Sequence, residues 1–227
     1  MSDSEEGTMA TLREGLPELP ARFRKLPLDP RGYPIPWFVA EVEGKRDFRV
    51  ADGAKRVRAV RERLCWLCGE KLGVHMAFVI GPMCAVNRNT SEPGCHLECA
   101  EFAAKACPFL TLPDAKYRTA NLPEGGTAQP HALGGNPGVV CIWVTRSCRP
   151  YKITGGWLIR VGAPSRTIWY TGGRLATRVE VLEGLDARLP LLASIAKEEG
   201  SDAEAALRAM VEVVTRTLLP AAEPVGG

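Results

Sequence analysis

The chain has 227 residues, 45% of them hydrophobic and 24% charged, with a formal net charge of +3. This is the composition of a soluble globular protein with enough chain for a sizeable core, and it excludes a disordered chain. No apolar run reaches the ~18–20 residues of a membrane helix, and +3 is too small by itself to imply nucleic acid or a membrane. The first residues are polar and acidic (Asp3, Glu5, Glu6) and do not read as a secretory signal. Six of the eight cysteines crowd into residues 65–107, which points to metal chemistry in a reducing, cytoplasmic compartment rather than to a disulfide framework.

Residues 1–36 are proline-rich and predict an extended N-terminal segment, with Tyr33, Ile35 and Trp37 alternating as apolar anchors. A second unit spans 37–110. Within it, residues 37–42 and 47–50 flank Glu43-Gly44-Lys45 and predict a hairpin. Residues 54–64 predict a helix whose apolar stripe is Val57, Val60 and Leu64. Residues 76–80 have strand character, and the break at Gly81-Pro82 predicts a hairpin there too. Glu92-Pro93-Gly94 turns the chain into a helix that ends before Pro108. Residues 111–137 hold eight Pro and Gly residues and read as a loop or linker. Beyond it, 138–220 predicts three strands (138–145, 157–161 and 166–170) in an antiparallel meander, then helices. Thr177-x-x-Glu180 and Ser201-x-x-Glu204 are capping-box patterns that each open a helix, and Pro190 separates or kinks the first of them. The fold class is α+β.

The chemistry concentrates in Cys65-x-x-Cys68-Gly69 and His96-x-x-Cys99. Zinc takes four thiolate or imidazole ligands in a tetrahedron. A Cys-x-x-Cys-Gly turn converges two thiolates from one knuckle, and ligands three apart on a helix's first turn share a face. Knuckle, hairpin and ligand-bearing helix together resemble a treble-clef zinc finger over about residues 64–107. The ligands read from this pattern are Cys65, Cys68, His96 and Cys99. Cys95 is able to replace His96, and Cys84 and Cys107 are further candidates. Four protein ligands close the metal's shell, which argues for a structural Zn2+.

Segments 31–37 (RGYPIPW), 65–68 (CWLC), 78–83 (FVIGPM), 136–139 (NPGV) and 173–177 (GRLAT) resemble parts of uncharacterised bacterial and phage-encoded proteins. That resemblance implies a prokaryotic or phage setting and no activity.

Three functional classes follow. Between Lys45 and Lys71 there are nine Lys and Arg against four acids. Lys55, Arg56, Arg58, Arg61 and Arg63 on the helix, with Arg88 and Trp66, make a candidate nucleic-acid surface for DNA or RNA, or else a face for a protein partner. His75, Asn87 and His96 follow the order of an HNH nuclease, although Val74 stands where such a site carries an acid, and His96 cannot serve both ions. The C-terminal strands carry Trp143, Tyr151, Trp157, Trp169 and Tyr170 with several arginines, a composition that also suits an enzyme or nucleotide site. The amphipathic helix at 202–219 offers a homodimer surface.

Overall fold

In the computed structural model, which describes residues 11–112, 115 and 138–222, the first hairpin forms as β1 (Val39–Val42) and β2 (Lys45–Ala51). Its turn puts Glu43 (φ 51°) and Gly44 (φ 73°) in the left-handed region, the geometry that suits twisted antiparallel strands. Asp52 then caps α1 (Gly53–Glu62), its carboxylate accepting from the N–H groups of Ala54 and Lys55. The helix is rotated from its predicted orientation: Ala59 is buried and Val57 is 51% exposed. The reason is Arg56. Its guanidinium lies 4.0 Å from the Trp157 ring centroid and, with Ala59 and Val60, takes the inner face at i, i+3 and i+4 spacing.

The cysteine-rich stretch continues with β3 (Met76–Ile80), α2 (Pro82–Asn87), β4 (Asn89–Thr90), α3 (Leu97–Ala106) and α4 (Pro108–Thr111). No hairpin follows β3. Pro82 sits in the first turn of α2, where its fixed φ and missing N–H favour a helix over a returning strand. Beyond the region of residues 111–137, most of which lies outside the described residues, come β5 (Val140–Thr145), β6 (Cys148–Ile153), β7 (Gly156–Val161), β8 (Pro164–Thr171) and β9 (Arg174–Leu175).

Two sheets replace the predicted meander. One has the order β3-β5-β8-β9 and the other β4-β7-β6, and each pairing is antiparallel. The β6–β7 hairpin leaves between β5 and β8 and joins β4. Pro150, Arg149 and Lys152 hide β6 from an apolar-pattern reading, yet all three are tolerated because β6 is an edge. Strand β3 pairs over its whole length with β5, from Met76 opposite Thr145 to Ile80 opposite Cys141. The cysteine-rich stretch and the C-terminal strands therefore share a sheet, and Trp66, Phe78, Trp143 and Trp169 belong to one buried cluster.

Helices α5 (Arg178–Asp186), α6 (Leu189–Glu199) and α7 (Ser201–Thr217) complete the chain. The Thr177 capping box forms in both directions. The Ser201 pattern does not, because Gly200 (φ 106°) is the cap and Ser201 already lies in the first turn. Val181, Leu185 and Val214 are buried. The end of α7 is pinned where the Leu218 carbonyl accepts from Trp169 Nε1 (2.8 Å) and Thr167 Oγ1 (2.9 Å). Among the described residues no helix is long and apolar enough to cross a membrane.

Candidate metal centre

Arg63 ends α1 in a left-handed conformation (φ 53°) and turns the chain into the knuckle. There the Cys65 N–H donates to the Glu70 carbonyl (2.7 Å) and the Gly69 N–H to the Cys65 carbonyl (2.8 Å). Gly69 has φ +76°, and a Cβ at that position would stand 2.7 Å from the Trp37 ring, so glycine is required on both counts. The second ligand pair is set by α3, with His96 at the N-cap and Cys99 within the first turn. A bridge between Ala77 and Cys95 ties the approach to α3 onto β3.

These elements bring the Sγ atoms of Cys65, Cys68 and Cys99 and a His96 ring nitrogen within 4.8 Å of one another. His96 Nδ1 lies 3.4 Å from Cys68 Sγ and 3.9 Å from Cys99 Sγ. A zinc tetrahedron with its usual bond lengths has a sulfur–nitrogen edge of about 3.6 Å, so the donor set fits such an ion. His96 Nε2 faces the Lys71 carbonyl at 3.0 Å; it donates there and leaves the Nδ1 lone pair toward the sulfurs. The N–H groups of Cys68 (3.5 Å) and His96 (3.4 Å) point at Cys65 Sγ. All three cysteines are at most 2% exposed and His96 is 9% exposed.

Hydrogen bonding, chiefly from the Cys68 side chain, holds the Cys65 thiol far below its usual range, while the Cys65 sulfur pushes Cys99 far above it. One thiolate thus suppresses its neighbours. A dication held there would remove that conflict and let the remaining thiols ionise. Cys95 stays outside the set, with its Sγ toward the Pro93 carbonyl. The knuckle and α3 are also clamped from the N-terminal segment: Arg22 pairs with both Glu70 and Glu98 (2.8 Å to the latter), and Lys25 also pairs with Glu70. The charges at 70 and 98, each one or two residues from a ligand, were a sequence signal for this clamp. The Lys71 carbonyl gave none.

The basic residues are less available than a run of charge implies. Arg56 donates to the carbonyls of Ser91 (2.8 Å) and Trp157 (3.1 Å). Lys55 donates to the Val39 carbonyl (3.0 Å), and Arg63 to that of Gly73 (2.9 Å). Arg58 and Arg61 share Glu62, while Arg88 lies 5.9 Å from the Trp143 ring centroid. Trp66 is buried and stacked on Phe38, so it takes no part in a surface. His75 is exposed, Asn87 Oδ1 accepts from the Asn89 N–H, and His96 is engaged at both ring nitrogens. Trp143, Trp169 and Tyr170 are core residues, Trp157 lies under Arg56, and Tyr151 is half-buried. Set against known proteins, the chain matches no family model, no curated protein and no solved structure.

Proposed function

We propose that the chain is a zinc-stabilised binding protein, built on a treble-clef-like centre, that works in a reducing, cytoplasmic compartment and contacts nucleic acid through exposed arginines. The observation that carries the metal reading is the convergence of three thiols and one imidazole nitrogen within 4.8 Å. Zinc takes such a set tetrahedrally and keeps no position for a reacting water, which gives the ion a folding role instead of a catalytic one. The residues that would hold it are Cys65, Cys68, His96 and Cys99. Its binding energy is then folding energy for the knuckle, for α3 and for the sheet packed on them. Nucleic acid is favoured as partner because arginine supplies planar, permanently charged forks for phosphate, and no catalytic constellation accompanies them among the described residues.

The test is chelation. Stripping the metal should abolish the cooperative thermal transition and oligonucleotide binding together, and adding zinc back should restore both. A metal-free protein that melts and binds as before would overturn the proposal.

A further inference from the structure

We infer that the solvent face of the β4-β7-β6 sheet, centred on Arg149, Arg160 and Tyr151, is a binding surface for single-stranded nucleic acid. The inference rests on the nucleic-acid reading above and places the contact away from α1.

Strand alternation sorts the side chains. Cys148, Pro150 and Lys152 stand opposite Val161, Ile159 and Trp157 on one face of the hairpin; Arg149, Tyr151 and Ile153 stand opposite Arg160, Leu158 and Gly156 on the other. The first face is packed along β7, with Ile159 1% and Val161 2% exposed and Trp157 covered by Arg56 of α1, while Pro150 and Lys152 on the edge strand are exposed. On the second, Arg149, Arg160 and Ile153 are exposed, and Tyr151 and Leu158 are half-buried. Asn89 is the register partner of Arg160 on its other side, so Asn89, Arg160 and Arg149 form one row across three strands.

That row contains a conflict. Directly opposed side chains start about 4.5–5.5 Å apart, and like charges there are destabilising. Neither arginine has an ion pair among the described residues, and residues 125–179 contain seven Lys and Arg with no Asp or Glu. Two of the seven are engaged elsewhere: Arg174 pairs with Glu180, and Arg178 donates to the carbonyls of Thr215 and Pro220. Protection of a sheet edge explains Arg149, Pro150 and Lys152 on β6. It does not explain Arg160, which is on the central strand.

A phosphate held between the two guanidiniums removes the conflict. Tyr151 follows Arg149 by two residues, about 7 Å along the strand, and so sets an aromatic ring beside the arginine pair. A single strand satisfies both features, its phosphates meeting the arginines while an unpaired base stacks on the ring. A duplex keeps its bases stacked internally, and among the described residues the exposed side chains of this face belong to strands, with no helix for its major groove. Because α1 meets the sheet through Trp157 on the opposite face, the two surfaces are open to separate tests.

The experiment measures fluorescence anisotropy of labelled oligo-dT and oligo-U of about 12 nucleotides, and of duplexes of the same length, with the full chain at two salt concentrations. Arg149→Glu with Arg160→Glu should weaken single-strand binding at least about tenfold and flatten the slope of log affinity against log salt by about 1.4. Arg149→Gln with Arg160→Gln repeats the test without charge reversal, and zinc content and melting check the fold of each variant. Tyr151→Ala should weaken binding about fivefold or more with the salt slope kept. A larger loss in Arg58→Glu with Arg61→Glu than in the sheet variants would overturn this placement and leave the nucleic-acid reading standing. Tighter binding of duplex would overturn the single-strand assignment. No oligonucleotide binding by the wild-type protein would overturn both.

Discussion

The two sheets use the same residue classes in opposite ways. In the β3-β5-β8-β9 sheet, all six residues of β5 are buried, so neither face of that strand meets water. In the β4-β7-β6 sheet, the core side holds Ile159 and Val161 while the other side shows arginines to solvent. The first sheet continues the packing of the candidate metal centre into the C-terminal half, because β3, which lies between Cys68 and His96, pairs with β5. Among the described residues, the second leaves Arg149 and Arg160 exposed on one face. A strand covered on both sides has only packing to contribute, whereas a strand covered on one side has positions left for a partner.

Substitutions sharpen that contrast. Trp143 is fully buried and its Nε1 donates to the Gly162 carbonyl (2.9 Å). Trp143→Ala should cost about 3–5 kcal/mol, read from denaturant unfolding, and a loss under 1 kcal/mol would contradict its place in the core. Arg56 belongs to the packed side of the second sheet. Arg56→Ala should cost about 1–3 kcal/mol through unpaired carbonyls and the lost cover of Trp157, with stability falling whether or not oligonucleotide is present.

A smaller effect concerns Glu92. Burial raises its carboxyl from 4.5 to about 7, with the Arg56 charge opposing the rise. A folded-state value above the unfolded one makes the contribution of Glu92 fully present below about pH 4.5 and lost as pH rises through about 7. Melting of the wild type relative to Glu92→Gln should therefore decline from about pH 5 to about pH 8; a parallel pair of profiles would remove that role. Smallest of all, Arg160→Glu places an opposite charge across from Arg149 and should raise stability by about 0.2–1 kcal/mol. An unchanged or lowered midpoint would mean that the opposed arginines carry no conflict.

What was legible in the sequence depended on the range of the interaction. Cys65, Cys68, His96 and Cys99 stood out because ligand chemistry is set by residue type and close spacing, and the structure brings those four together. The β1–β2 turn and the Thr177 box are equally local, and both form. The partner of β3 lies about 60 residues away in β5, and no local pattern marks it. The predicted hairpin after β3 failed for a local reason, since Gly81-Pro82 opens a helix as readily as it breaks a strand. The basic run presents Arg56 and its neighbours alike as surface charge. Nothing in a basic run distinguishes the one guanidinium that turns inward over a tryptophan. Likewise Arg149 and Arg160 became a pair only once β6 and β7 were in register.

The central claim is that Cys65, Cys68, His96 and Cys99 hold a zinc ion on which the fold depends. The most direct measurement is the metal content and thermal transition of protein purified without added metal, with Cys68→Ser prepared alongside. One zinc per chain in the wild type, with both the zinc and the cooperative transition lost in the variant, is the predicted result. A wild type free of zinc, or a variant that keeps both zinc and transition, would contradict the account.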